Sequence, residues 1–195
     1  MISTLSRSVR PARLDVVASL AQTDPPAAAL VAVLDQLKAV VGCLRDDQYA
    51  MRPVGVVDSS IGGHVRHCLD HVRALLGACD TGLLDYDQRD RGTSIESDRA
   101  AALGAIRALR NRLDMLPDDI LDRPIQLSVL MNSDGRPIEV GTTVGREMAY
   151  VLSHTIHHNA LISTMVKILG GWLPDRFGYA PSTIAYANKG RACAR

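Results

Sequence analysis

All six histidines of this 195-residue chain fall in two short segments. His64, His67 and His71 lie in GGHVRHCLDHVRALL, and His154, His157 and His158 lie in LSHTIHHNALISTMV. Neutral imidazole nitrogen is a ligand for zinc, nickel and iron, so two histidine-rich segments that meet in the fold can share a metal ion. His67 and His71 are four residues apart, and so are His154 and His158. On a helix that spacing puts both side chains on one face, about 40° apart and one turn along. Such a pair supplies half of a metal site.

In the later segment His154 and His158 share the direction of an apolar stripe of Val151, Leu161, Ile162, Met165 and Leu169, so both are expected to point inward. His157 falls off that stripe, at the surface or its edge. In the earlier segment His64 and His71 flank a stripe of Ile61, Val65, Cys68, Val72 and Leu75, while His67 lies further round. Periodicity alone therefore favours His71 or His64 over His67 as the inward group. One inward histidine on a helix is usually a hydrogen-bonded core residue. Six of six, confined to two amphipathic helices, favour a shared metal site.

Other elements must carry these segments. Asp24 caps and Pro25 opens a first helix, with Leu30, Val33, Leu34, Leu37, Val40, Val41 and Leu44 at three- and four-residue spacing. Ser59 or Ser60 caps a second helix that runs to about Cys79. Ser97 or Asp98 starts a third, with Ala102, Ile106, Leu109, Leu113 and Leu116 on one face. PIQLSVLMNSDGRPIEVGTT reads as a hairpin turning at Ser133-Asp134-Gly135. A fourth helix spans about Val144 to Leu169 and stops at Gly170-Gly171. The charged stretch between the second and third helices reads as a connector, and the segment after Gly171 as an ordered tail or short helix. The expected fold class is all-α: a four-helix bundle with a small β-hairpin between the third and fourth helices. Residues 1–23 form an N-terminal arm or short extra helix, and residues 24–195 one metal-binding bundle with a C-terminal tail.

Composition narrows the function. The net charge of +1 lacks the basic excess of a nucleic-acid binder, and no run reaches the ~18 apolar residues of a membrane span. Cys43, Cys68, Cys79 and Cys193 form neither a CxxC pair nor a zinc-finger spacing. They read as reduced thiols, and with no signal-peptide pattern at the N-terminus the expected location is cytoplasmic. Thr155 stands where a zinc peptidase of the HExxH kind has its glutamate, which argues against peptidase chemistry. Glu147 and Tyr150, about two turns and one turn before His154, are placed to border a pocket. Asp70 is placed to orient an imidazole from behind.

The order and separation of SIGGHVRHCLDH and HTIHH resemble the DinB/YfiT-like superfamily of metal-binding four-helix bundles. The resemblance covers roughly residues 25–170, and GYAPSTIAY is similar to tails seen in relatives. It implies one ligand histidine about seven residues after a Ser/Thr helix cap, and two more as HxxxH on the last bundle helix. Counted from Ser60, these are His67, His154 and His158, with His71 as the substitute and His64 and His157 as supporting or surface groups. Three histidines leave a divalent metal ion with open positions, as catalytic sites do. Zinc is the first choice, with nickel or iron after it. The resemblance further implies a metal-dependent transferase of the thiol S-transferase type, or a hydrolase, acting on a small molecule. The transferase would take a low-molecular-weight thiol as partner. A non-enzymatic metal-binding or stress-response protein is the competing reading. No nucleic acid or membrane partner is expected, and a homodimer is left open.

Overall fold

Leucine, isoleucine and valine at helical spacing build the bundle that the sequence predicts. In the computed structural model, residues 25–192 are described apart from 54, 56, 57 and 89–91; the expected arm, the Asp24 cap and Cys193 lie outside the described residues. The four long helices are α1 (Ala28–Cys43), α3 (Ile61–Thr81), α4 (Arg99–Asp114) and α5 (Val144–Ile168). A short α2 (Asp46–Ala50) follows α1, and α6 (Pro181–Ala192) ends the described tail. Helix α1 packs on α4, α4 on α3, α3 on α5 and α5 back on α1, which closes a ring. Leu34 and Leu37 of α1, Leu69 and Leu75 of α3, Ile106 of α4 and Ile162 of α5 meet in its centre, all fully buried. Each such side chain contributes about 1.5–3 kcal/mol by leaving water.

Side-chain caps fix where the helices start. Ser60 Oγ accepts from Gly63 N at 3.0 Å. Asp98 Oδ1 accepts from Ala100 N and Ala101 N at 2.8 and 3.2 Å, and Thr143 Oγ1 from Arg146 N at 3.2 Å. Each satisfies a first-turn donor that has no partner within the helix. Helix α3 runs two residues past Cys79 and stops at Gly82, whose φ of 78° is the left-handed conformation open to glycine.

The expected hairpin is present. Strand β2 (Pro124–Leu130) pairs antiparallel with β3 (Pro137–Thr143), with Leu127 opposite Val140. Strand β3 passes directly into α5 at Val144. A third strand was not expected: β1 (Leu83–Asp85) joins β2 in parallel, with Leu84 opposite Leu127. Three residues are too few to show alternation, and the stretch around them is charged. Leu84 is buried in the bundle core, so packing orders the segment. Beyond α5, Phe177 is buried and Gly178, at φ 79°, lies against the α5 backbone, where an added Cβ would stand 2.7 Å from Ala160 N. The tail is thus docked, as expected. Among the described residues, no helix is long and apolar enough to cross a membrane.

Gly62 sits in the first turn of α3, where the loop at Ser94–Glu96 and the ring of Tyr49 close over it. A Cβ there would meet the Glu96 carbonyl oxygen and lie 2.7 Å from Tyr49 Cε1, whereas at Gly77 it would meet nothing within 4 Å. Gly62→Ala should therefore destabilise the fold by about 1–3 kcal/mol through overpacking. Gly77→Ala should stabilise it by about 0.5–1 kcal/mol through helix propensity. Urea unfolding of the two variants checks this pair of opposite signs.

Candidate metal centre

The contact between α3 and α5 sets histidine against histidine in two steps. His67 Nε2 lies 2.8 Å from His154 Nε2, and His64 Nδ1 lies 3.0 Å from His158 Nδ1. The earlier residue of α3 meets the later residue of α5, so the helices run antiparallel. His71, one turn beyond His67, stacks on His154 with ring centroids 4.2 Å apart and planes at 27°. Its Nδ1 lies 3.0 Å from the main-chain oxygen of His67. A carbonyl only accepts, so His71 Nδ1 carries the proton and Nε2 keeps the lone pair that a metal requires.

One nitrogen from each of His67, His71 and His154 lies within 4.8 Å of the other two. At bonds of ~2.0–2.1 Å, two nitrogens on one ion stand about 2.9 Å apart at a right angle and about 3.4 Å apart at the tetrahedral angle. The His67–His154 spacing needs only a slight opening to reach that range. An all-imidazole set fits zinc, nickel or iron, and does not fit magnesium or calcium, which prefer oxygen.

Two of the three ligands expected from the resemblance, His67 and His154, thus meet directly. His158 lies beside them, with its ring centroid 4.6 Å from each, and turns Nδ1 toward His64. His71, the expected substitute, belongs to the closest trio. His157 is exposed, with its ring 5.3 Å from that of His158. On α3 the inward groups are His64 and His71, at 8% and 4% exposure, while His67 is half-buried, in line with the periodicity. On α5 the innermost line is Val151, Thr155, Asn159 and Ile162, and His154 and His158 are half-buried at its flank. Thr155 can occupy that line because its Oγ1 donates to the Val151 carbonyl at 2.7 Å, which satisfies the hydroxyl within its own helix.

Two tyrosines and a buried carboxylate back the trio. Tyr86 stacks on His71 at 4.9 Å and 16°, and Tyr150 on His154 at 5.6 Å and 21°. Glu147, 3% exposed, accepts from Tyr86 Oη at 3.1 Å and from Thr142 Oγ1 at 2.9 Å. Burial, and then the Glu147 charge, raise the Tyr86 phenol well above its ordinary range, so it stays a protonated donor. Tyr86 escaped the sequence reading because the strand that delivers it did. Leu83 and Leu84, which follow the helix-ending Gly82, are not residues that favour strands, so no local signal marked it. The Asp70 carboxylate pairs with Arg66 at 2.6 Å and Arg73 at 2.7 Å.

The neighbourhood disfavours the protonated form of two of the histidines. Burial, followed by the adjacent His154 and His64, lowers His158 to about 3. His64 is lowered too, by burial and then by His157. Cys68 is buried and its thiol is pushed up to about 12, so it remains a protonated core group. A cleft of about 900 Å³ lies elsewhere, lined by Asp70, Arg73, Asp85, Asp87, Gln126 and Glu139 and by none of the histidines.

The sequence pattern of the DinB superfamily matches residues 29–162. A DinB-like protein of Bacillus subtilis, YjoA, superposes with a TM-score of 0.58 at 18% identity, over 80% of this chain and 99% of that one. At that identity the likeness concerns the fold alone. FK506-binding protein 5 of Rhizopus delemar is 36% identical over 108 residues, which is 55% of this chain and 28% of that protein. The chain therefore spans under a third of that relative's length. With the superfamily pattern running from α1 into α5 and the paired histidines in place, this chain belongs to the DinB superfamily.

Proposed function

We propose that this protein binds a divalent metal ion at His67 and His154 and acts on a small molecule, as a transferase of the thiol S-transferase type or as a hydrolase. The observation that carries the reading is the approach of three imidazole nitrogens to within 4.8 Å across α3 and α5. His158 is the third ligand that the resemblance implies. His71 is the third ligand that the geometry favours, because the proton sits on Nδ1 and the lone pair on Nε2. Zinc is the preferred ion, with nickel and iron next. A divalent ion bound by three imidazoles supplies Lewis acidity at the positions that the protein leaves open.

The chain's own residues hold and shield that position. Glu147 anchors Tyr86, and Tyr86 in turn fixes the plane of His71. Tyr150, 37% exposed, offers a ring face at the rim for an apolar part of a small molecule. The trio contains no cysteine and no carboxylate, so a thiolate at the open position would come from the ligand. A thiol needs little help from a base, which favours the transferase over the hydrolase. The non-enzymatic metal-binding or stress-response reading draws on one observation: the cleft of about 900 Å³ is not at the histidines. The free thiols of Cys43, Cys68 and Cys79 support a cytoplasmic location. Thiol-dependent turnover of an electrophilic small molecule by the zinc-loaded protein, lost on chelation, would support the transferase. Tight zinc binding without any turnover would support the alternative.

His67→Ala and His154→Ala should each lose metal, and His157→Ala should keep it. Elemental analysis after gel filtration reads this directly, and loss in His71→Ala or His158→Ala identifies the third ligand.

The pH dependence has a definite sign. The fold keeps His158 neutral down to about 3, while the unfolded chain takes up that proton near 6.5. The unfolded state thus binds more protons between those values, and stability falls as pH drops from 6.5 toward 3. Protons also compete with metal for the ligands. Thermal melts should show zinc raising Tm at pH 7.5, with the rise fading below pH 6. The apo bundle should remain folded at pH 7.5, because its core needs no metal to form.

A further inference from the structure

We propose that two copies of this chain join through the free edges of β3, paired antiparallel about a two-fold axis beside Val140. The sheet order is β1-β2-β3, so among the described elements β3 is bonded on one side only. Residues 137–141 are exposed, and Ile138 and Val140 are large apolar groups at 47% and 41% exposure. They extend the sheet face on which Leu84 and Ile125 are buried. No histidine lies on β3.

Two hydrogen bonds fix which main-chain groups of β3 point outward. Val144 N donates to the Arg123 carbonyl at 3.0 Å. Bonded pairs recur at every second residue of an antiparallel ladder, so Ile138, Val140 and Thr142 direct their N–H and C=O groups to Val129, Leu127 and Ile125. Gln126 N donates to the Gly82 carbonyl at 2.8 Å, on the β1 side of β2, as the same phase requires. The N–H and C=O groups of Glu139 and Gly141 therefore face the free edge. The middle of that edge lacks the features that keep strand edges apart. Pairing with β2 runs from Pro137 to Thr143 without a bulge. The strand has no lysine, and its one proline opens it. Its one charge, Glu139, projects from the opposite face to Ile138 and Val140.

A second copy fits this edge because the edge is complementary to itself, as a two-fold contact demands. With the axis beside Val140, Glu139 faces the partner subunit's Gly141, and each such pair exchanges both N–H···O bonds. The uncharged Gly141 leaves the Glu139 carboxylate without a like charge opposite. Val140 faces the partner subunit's Val140 as a close unbonded pair, and β-branched pairs of that kind stabilise a sheet. An axis beside Glu139 would set two carboxylates directly opposite each other, which is destabilising. An axis beside Gly141 would put a pair without side chains at the centre. In the chosen register the two Glu139 residues lie diagonally, about 7–8 Å apart, so added salt should tighten the contact. Joining two three-stranded sheets in this way gives one closed dimer. Because β3 passes directly into α5, the joint ties the α5 helices of both copies to one sheet.

The test is sedimentation of the full chain across a concentration series reaching the submillimolar range, with circular dichroism to confirm that each variant is folded. A reversible dimer is expected. Val140→Lys, which sets two ammonium groups opposite each other, should raise the dissociation constant by about tenfold or more. Ile168→Lys, at an exposed apolar position at the far end of α5, should leave it unchanged. Hydrogen exchange on the unaltered protein should show the Glu139 and Gly141 amides slowing as the dimer fills. A monomer throughout the series would overturn the proposal. A dimer that Val140→Lys leaves intact would also overturn it, by placing the contact on another surface. Should Val140→Lys fail to fold, the exchange decides: Glu139 and Gly141 amides that exchange as fast in the dimer as in dilute protein would overturn the pairing.

Discussion

The register of α3 against α5 is the constraint on which the histidine site depends. A slip of one turn would move each ring by about 5.4 Å and separate His67 from His154 and His64 from His158. Buried side chains on both helices hold the register, with Val65, Leu69 and Val72 on α3 and Val151 and Ile162 on α5. Close approaches at the flanks lock it further. Gly62 lets the loop at Ser94–Glu96 and Tyr49 sit on the start of α3, and the Tyr49 hydroxyl donates to the Ile95 carbonyl at 2.7 Å. Gly178 lets the tail press on α5 at Ala160. The site is therefore a property of the whole bundle.

Charge is arranged so that His64 and His158 resist protonation. The nearby carboxylates are occupied: Asp70 by Arg66 and Arg73, Glu96 by Arg66, and Glu147 by Tyr86 and Thr142. A carboxylate beside an imidazole would favour its cationic form, in which the nitrogen cannot bind metal. Burial and mutual proximity act the other way and lower both His64 and His158. Five imidazoles, those of His64, His67, His71, His154 and His158, are linked by ring contacts across α3 and α5.

Much of this was legible in the sequence for physical reasons. Helical spacing of Leu, Ile and Val marked the four long helices, and Ser60 and Asp98 marked two of their starts, because caps and amphipathic stripes are local signals. Concentration of every histidine in two segments marked the site. The burial of His64 and His71 followed from their position beside the stripe of α3. On α5 the same argument misjudged the inward line, because Thr155 and Asn159 are polar yet buried, and a count of apolar residues does not see a hydroxyl satisfied by its own helix. Strand β1 and Tyr86 were illegible because a three-residue strand exists only through its partner β2. Which imidazoles meet across two helices is likewise set by tertiary register and by no local signal.

The most direct test of the central claim is anomalous diffraction at the zinc absorption edge from crystals of the zinc-loaded protein. The account predicts the strongest peak between α3 and α5, within about 2.0–2.1 Å of a nitrogen of both His67 and His154. A strongest peak at the carboxylates of Asp85, Asp87 or Glu139 in the cleft, with none at the histidines, would contradict it.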